Sequence, residues 1–387
     1  MTHVFIVNDQ TLKIHLEYMF AGTGCRHDAL FLSDSEYLNP RRNADGLTST
    51  SERNIAAMIA DVSRIREGDK IIFYLQATQS HPGLFFGVFR AKDKAFYCPN
   101  DESNLNEQLE KNLNFRVLIE ADQVYQNGVS EHEALDSIKD IHHPSEMCWS
   151  LIYRKLKGNR GCTMLTDFES AKLIEKIRAN NNNNILQSIG FSYDKGNARI
   201  IPFETVREYP DAQSSLMIKD RLIFKAQGRY AFESHLQAYI VQNFDSDPLH
   251  SFINADEIHS PIWIGNEVSC GVGMQRIDIL TMQEDDAKIH INIIELKDEK
   301  PYAEIITNQL PWYIDWVVEY LCPLYQNKEI TIAPIVIAST FQRQRDIDVF
   351  ENCCAEFEYE TANHITVNPI EYIGFEIDEN ISFEKVF

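Results

Sequence analysis

Apolar and polar positions follow two different rhythms along this chain. Before residue 180, short apolar runs are interleaved with one helical stretch. HVFIV at 3–7 predicts a strand, and residues 52–65 put Ile55, Met58, Ile59, Val62 and Ile65 on one face of a helix. A turn at Gly68-Asp69 leads into a strand at 70–76, and Pro82-Gly83 leads into another at 84–91. FRVLIEADQVY predicts a third at 115–125, and a further element is expected near 149–156, followed by a glycine-bounded turn and a return strand. DFESAKLIEKIRA reads as a helix that runs into the asparagines of 180–184. Asparagine is a poor helix former that tolerates turns, so a domain is expected to end there. Short strands with interposed helices predict a small, strongly curved sheet or barrel.

Residues 181–225 show weaker periodicity and read as a connector. Beyond it, AFESHLQAYIVQNF at 231–244 predicts an amphipathic helix. QRIDILTM, the acidic turn QEDDAK and IHINIIELK predict a hairpin of two apolar strands. Residues 302–321 look helical with a kink or restart at Pro311, and ITIAPIVIAST predicts a buried strand. This order implies an α/β sandwich around a mixed sheet. The acidic tail after 350 is expected to cover an edge or meet a partner.

Composition narrows the class. The 387 residues are 44% hydrophobic and 24% charged, which is globular and allows two or three domains. No apolar run approaches the roughly 20 residues of a membrane-spanning helix. The start, MTHVFIVNDQ, lacks a secretory pattern, so a cytoplasmic location without membrane partners is expected. The eight cysteines include no C-x-x-C and are expected to be reduced and buried. The net charge of −22 is uneven: residues 226–387 hold 9 Lys/Arg against 28 Asp/Glu, a net −19, and residues 1–225 are near balance. Different electrostatics imply different domains, and the acidic half is poorly suited to indiscriminate nucleic-acid binding.

The chemistry concentrates in the predicted hairpin. Asp278 lies in the first strand, and Glu295 and Lys297 end the second, two apart and therefore on one face. Acids in such apolar strands are costly to bury unless paired or bound to metal. Two carboxylates with one ammonium at a sheet edge make a Mg²⁺ or Mn²⁺ site. Glu233 on the preceding helix is a third candidate ligand. Gln309 on the following helix, with Tyr313 one turn on, could orient water or phosphate. The rival reading is a buried ion-pair network without catalysis.

FESHL, RIDIL, IIELK and NQLPWY, in that order, resemble the PD-(D/E)XK nuclease superfamily, most closely its NucS-type branch. The resemblance spans about 226–345. It implies that Asp278, Glu295 and Glu233 bind divalent metal, and that Lys297 and Gln309 assist phosphodiester hydrolysis. The first half resembles EVE domains of the PUA-like, YTH-related superfamily, through Arg53-Asn54, Gly68-Asp69 with Phe73-Tyr74, the strand between Gly83 and Gly87, WSLIYRKL and the helix at 167–178. That resemblance implies a pocket for a modified or flipped base. Tyr74, Trp149 and Tyr153 would be its stacking faces, Ser51 and Asn54 its polar partners, and Arg53 a further nucleic-acid contact. Arg154 and Lys155 belong to segment 146–178, whose net charge of +3 suits phosphate contacts or a solvated face.

The expected fold is thus an α/β (α+β) multidomain chain. A PUA-like curved β-sheet or barrel spans 1–180, a connector 181–225, and an αβββαβ restriction-endonuclease-like sandwich 226–387. The expected function is a Mg²⁺-dependent DNA endonuclease tied to modification-dependent restriction or defence. DNA is the expected partner, RNA stays open, and cutting both strands from a single-site subunit implies a homodimer. The alternative is a non-catalytic DNA or RNA reader whose degenerate nuclease fold serves as an interaction scaffold.

Overall fold

The computed structural model describes residues 1–24, 52–99, 102–135, 141–151, 161–270, 275–361 and 364–387. The expected contacts Ser51, Tyr153, Arg154 and Lys155 lie outside the described residues. The chain divides into two compact units, Met1–Leu216 and Met217–Phe387.

The first unit runs β1 (Thr2–Val7), α1 (Asp9–Glu17), β2 (Phe20–Thr23), α2 (Glu52–Ser63), β3 (Lys70–Leu75), β4 (Leu84–Ala91), β5 (Phe96–Tyr97), α3 (Asn106–Leu109), β6 (Phe115–Ala121), β7 (Val129–Ser130), α4 (Glu131–Leu135), β8 (Cys162–Leu165), α5 (Asp167–Asn180), β9 (Gly190–Asp194) and β10 (Arg199–Phe203). Its main sheet has the order β2-β6-β4-β3-β1-β8, with β5 on β6 and β7 on β4, and is curled into a half-barrel. β1 and β3 are parallel, and their residues alternate between the two faces. Val4, Ile72 and Tyr74 point to one face, where Leu173 and Ile177 of α5 complete the core. His3, Ile71 and Met164 form a row on the other face, where Arg64, just after α2, donates to Met164 Sδ at 2.7 Å.

The asparagine run ends a helix rather than a unit. Asn182 and Asn183 take left-handed φ values of 49° and 61°, a conformation asparagine tolerates and that terminates α5. The asparagine before them, Asn181, is tied back by donating to Asn127 O and Ile177 O, each at 2.8 Å. The segment expected to be a connector instead folds as the β9–β10 hairpin, which packs on α1 within the first unit. Phe191 of β9 meets Phe89 at 6.0 Å between ring centroids, and Ser192 Oγ donates to Glu17 Oε1 at 2.8 Å. The strand expected over 115–125 stops at Ala121.

A buried polar network closes the far end of this unit. The Arg116 guanidinium lies 5.1 Å from the Phe20 ring centroid and donates to Asp211 at 2.5 Å and to Tyr209 at 2.9 Å. Asp211 also accepts from Ser103 Oγ at 2.8 Å and Asn104 N at 2.6 Å. Both ion-pair partners have wholly buried side chains, so every remaining polar site must be matched, and this network matches them.

The second unit runs α6 (Lys219–Gln227), α7 (Glu233–Asn243), α8 (Leu249–Ile253), β11 (Trp263–Ser269), β12 (Arg276–Glu284), β13 (Lys288–Leu296), α9 (Leu310–Trp316), β14 (Glu329–Ser339), α10 (Gln344–Ala355), β15 (Ile365–Val367), β16 (Glu371–Ile377) and β17 (Ile381–Lys385). Its sheet has the order β11-β12-β13-β14-β16-β17, with β15 on β14. β11, β12 and β13 are antiparallel neighbours, and β14 is parallel to β13. The acidic turn is closed by Asp285 Oδ1, which accepts from Ala287 N and Lys288 N, each at 2.8 Å. The tail covers the β14 edge as part of the sheet: β15 and β16 pair with β14, and β17 with β16.

The helix expected over 302–321 is segmented. Wide π-type turns at Ile305–Gln309 and Val317–Leu321 flank the α-helical Leu310–Trp316. Pro311 has no N–H to donate to the preceding turn, and it falls in the first turn of the α-helical stretch, where that donor is dispensable. Among the described residues, no helix is long and apolar enough to cross a membrane.

Candidate functional site

The second unit brings its chemistry to one end of the β12–β13 hairpin. The register pairs Ile279 with Ile294, so the next step outward sets Asp278 beside Glu295. Asp278 Oδ2 accepts from Leu296 N at 2.8 Å, which fixes its carboxylate against β13. Lys297 continues the line of β13 by donating its backbone N–H to Ile337 O of β14 at 3.0 Å. Its ammonium lies 2.5 Å from Glu295 Oε1 and 3.9 Å from Glu233 Oε2. Glu233 opens α7 and is 40% exposed, so it stands on the rim, whereas the Glu295 side chain is 2% exposed.

The electrostatics follow from this crowding. Burial, and then the Glu295 charge, raise the Asp278 carboxyl well above the usual carboxylate range. Burial alone would lower the Lys297 ammonium, but the Glu295, Asp278 and Glu233 carboxylates together outweigh it and the net shift is upward. Lys297 therefore stays a cation and is unsuited to accept a proton. Tyr313 on α9 lies against the same acids: burial, then Glu295 and Asp278, push its phenol far above the ordinary value, so it remains a neutral donor. Cys270, at the end of β11, sits beneath the site, and burial pushes its thiol up to about 12.

Two polar atoms are left over. Glu295 Oε2 and Gln309 Oε1 are buried and hydrogen-bonded to nothing among the described residues. A buried carboxylate oxygen without a donor is expensive. Asp278 and Glu295 are the carboxylates that would hold a divalent cation at this end of the hairpin. The three-acid ligand set expected from the sequence is not assembled. Glu233 faces Lys297, and among the described residues no group of three or more His, Cys, Asp or Glu side chains is arranged to hold a metal ion. Gln309 ends its π-type turn one helical turn before Tyr313, on the same side of the helix.

Among the described residues, Arg53, Asn54, Tyr74 and Trp149, four of those expected to form a base pocket, do not converge. Tyr74 is 3% exposed, its hydroxyl donates to Glu131, and its ring packs at 4.9 Å from that of Phe85 within the α5-side core. It offers no open stacking face. Trp149 is half-buried and donates to Pro144 O at 3.0 Å, and its neighbours Cys148 and Leu151 enter the same core as Tyr74. Arg53, which is exposed, and Asn54 lie in the first turn of α2, the helix whose end meets the opposite face of the sheet. The sheet therefore separates them from Tyr74.

Sequence reasoning passed over four residues of the site in the second unit: Gln237, Glu267, Cys270 and Asp298. Gln237 was detectable, four residues after Glu233 and so on its face of α7. The other three depend on pairing between strands and on a helix start that no local pattern encodes. No family model matches this chain, and no curated protein sequence matches it.

Proposed function

We propose that this protein is a metal-dependent endodeoxyribonuclease whose second unit is a PD-(D/E)XK-type, restriction-endonuclease-like domain. One observation carries the reading. Asp278, Glu295 and Lys297 meet at the end of a hairpin, with Glu295 Oε2 buried and hydrogen-bonded to nothing among the described residues. The order α7, α8, β11, β12, β13, α9, β14 supports it, because apart from the short α8 it is the αβββαβ order expected of that superfamily. Two carboxylates repel each other and together outweigh one ammonium, so the site favours added positive charge.

Asp278 and Glu295 would hold Mg²⁺ or Mn²⁺. A cation held by them would polarise the phosphodiester and lower the pKa of a bound water. Lys297, held as an ammonium by Glu295, supplies fixed positive charge where negative charge builds on the phosphate. It does so as an electrostatic partner and not as a base. Tyr313 keeps its proton beside the Glu295 carboxylate. The Gln309 side chain, one turn away, is free to orient water or a phosphate oxygen through its amide. Glu233, on the rim, holds Lys297 from the open side. Recognition of DNA, including a modified or flipped base, is proposed for the first unit as a whole, without Tyr74 as a stacking face.

A second reading has its own support. The −19 charge of residues 226–387, and the closure of Lys297 onto Glu295, favour a non-catalytic DNA or RNA reader whose second unit is a scaffold. A cleavage screen with Mn²⁺ over modified, unmodified, mismatched and branched DNA separates the two. Cleavage is expected for at least one substrate class and is expected to fall by about 100-fold or more in Asp278→Asn and in Glu295→Gln. Full activity in both variants refutes the hydrolytic reading.

A further inference from the structure

Helix α7 is held on the hairpin at two points, and both lead to the acids. Opposite Asp278, the β11–β12 pairing is interrupted. Val268 pairs with Ile277 and Asn266 with Ile279, but Glu267 between them takes a left-handed φ of 45°. That conformation is costly for a residue with a Cβ, and Glu267 and Asp278 do not pair although the register is the same on either side. The Asp278 carbonyl goes elsewhere: it accepts from Gln237 Nε2 of α7 at 2.9 Å. Gln237 is 4% exposed, and the hydrogen bond is partly buried. The second point is at the start of α7. Asp298, directly after Lys297, accepts from Phe232 N at 2.8 Å, satisfying an amide that the helix itself leaves over.

We propose that Gln237 and Asp298 are positioning residues that clamp α7 onto the catalytic hairpin, setting Glu233 against Lys297 and fixing the backbone that carries Asp278. The proposal rests on the hydrolytic reading of the same site. Glu233 and Gln237 lie four apart on one helical face, so one rigid turn spans the distance from the Lys297 ammonium to the Asp278 carbonyl. The clamp ties each side of the site to the other: the residue after Lys297 holds the helix start, and the helix holds the strand of Asp278. Without it, α7 is expected to keep its apolar packing but lose the angle at which Glu233 meets Lys297. Neither residue touches the reacting atoms.

The test uses the full chain and Mn²⁺ alone as the binding probe, alongside the cleavage assay. Asp298→Ala and Gln237→Met are each expected to lower Mn²⁺ affinity and cleavage by about 10-fold or more, the range seen when groups that orient metal ligands are removed. Asp298→Asn keeps an acceptor for Phe232 N and is expected to stay within about threefold of the parent. Hydrogen exchange at the Phe232 amide is expected to accelerate in Asp298→Ala, with β12 and β13 amides unchanged. Faster exchange with unchanged Mn²⁺ affinity and cleavage reduces Asp298 to a structural cap and overturns the proposal, as does parent-like behaviour of both variants. If the parent protein neither binds Mn²⁺ nor cuts any substrate, the hydrolytic reading fails first and the positioning role falls with it.

Discussion

Replacing Lys297 by methionine tests the site without assuming its chemistry. Methionine keeps most of the aliphatic stem and removes the ammonium. The Glu295 side chain is 2% exposed and its Oε1 lies 2.5 Å from Lys297 Nζ, so the variant leaves a carboxylate in the interior without its counter-charge. Breaking a buried pair in this way costs about 3–5 kcal/mol. Lys297 is itself 15% exposed, so water can partly replace it, and the low end, about 3 kcal/mol, is the expected loss. For a unit of this size that corresponds to a Tm drop of about 6–12 °C. Urea unfolding at pH 8 with EDTA, followed by tryptophan fluorescence, measures it on the right part of the chain. Trp263, Trp312 and Trp316 belong to the second unit, and only Trp149 to the first. Adding Glu295→Gln to Lys297→Met removes the stranded charge and is expected to recover at least about half of the loss. A loss under about 1 kcal/mol in Lys297→Met would mean that the pair behaves as a solvated surface bridge, and would refute the buried-site geometry.

Two further predictions concern charge and pH. The Asp278 carboxyl is raised by burial and by Glu295, so the folded state binds its proton more tightly than the unfolded chain. Its presence therefore costs stability increasingly as pH rises from its unfolded value toward the raised folded one. Metal-free Asp278→Asn should accordingly gain stability over the parent at pH 8 and lose most of that gain near pH 4; a variant that is less stable at pH 8 counts against the repulsion. In the first unit, burial raises the Asp211 carboxyl, but the hydrogen bonds from Arg116 and Ser103 outweigh it and the net shift is downward. That stability is present above the unfolded carboxylate value and is lost as pH falls through the folded one. Arg116→Met is expected to cost about 3–5 kcal/mol at neutral pH in a denaturant melt followed by circular dichroism, and a neutral effect would show that the network is dispensable.

The parts of the second unit legible in the sequence are those that depend on short-range periodicity. The apolar runs RIDIL and IIELK predict two strands, the intervening QEDDAK predicts their turn, and a period of two puts Glu295 and Lys297 on one face. A hairpin of that length has few registers, and the observed one sets Asp278 beside Glu295. Glu233 and Gln309 were assignable to helices on either side, but how far each reaches was not. Glu233 meets Lys297, and the start of α7 is held by Asp298, a hydrogen bond between residues 66 apart in the chain. In the first unit, the apolar run at 70–76 marks Tyr74 as a strand residue, but the resemblance makes it a stacking face, whereas it lies in the core. The run carried no information about which helix covers that face of the sheet, and α5 covers it while the residue after α2 contacts the other.

By itself, the sequence determined the alternation of strands and helices, the hairpin that carries two acids and a lysine, and the contrast in charge between the two parts of the chain. These are local properties, set by side-chain period, turn residues and composition. Tertiary structure alone decided that residues 190–203 join the first unit, that the helix beyond Lys297 opens into wide turns, that β11 breaks stride at Glu267, and that one carboxylate oxygen of Glu295 is left without a donor among the described residues. Each of these depends on groups distant in the chain competing for the same backbone donors and the same buried space, and that competition is resolved only when the sheets and helices close on one another.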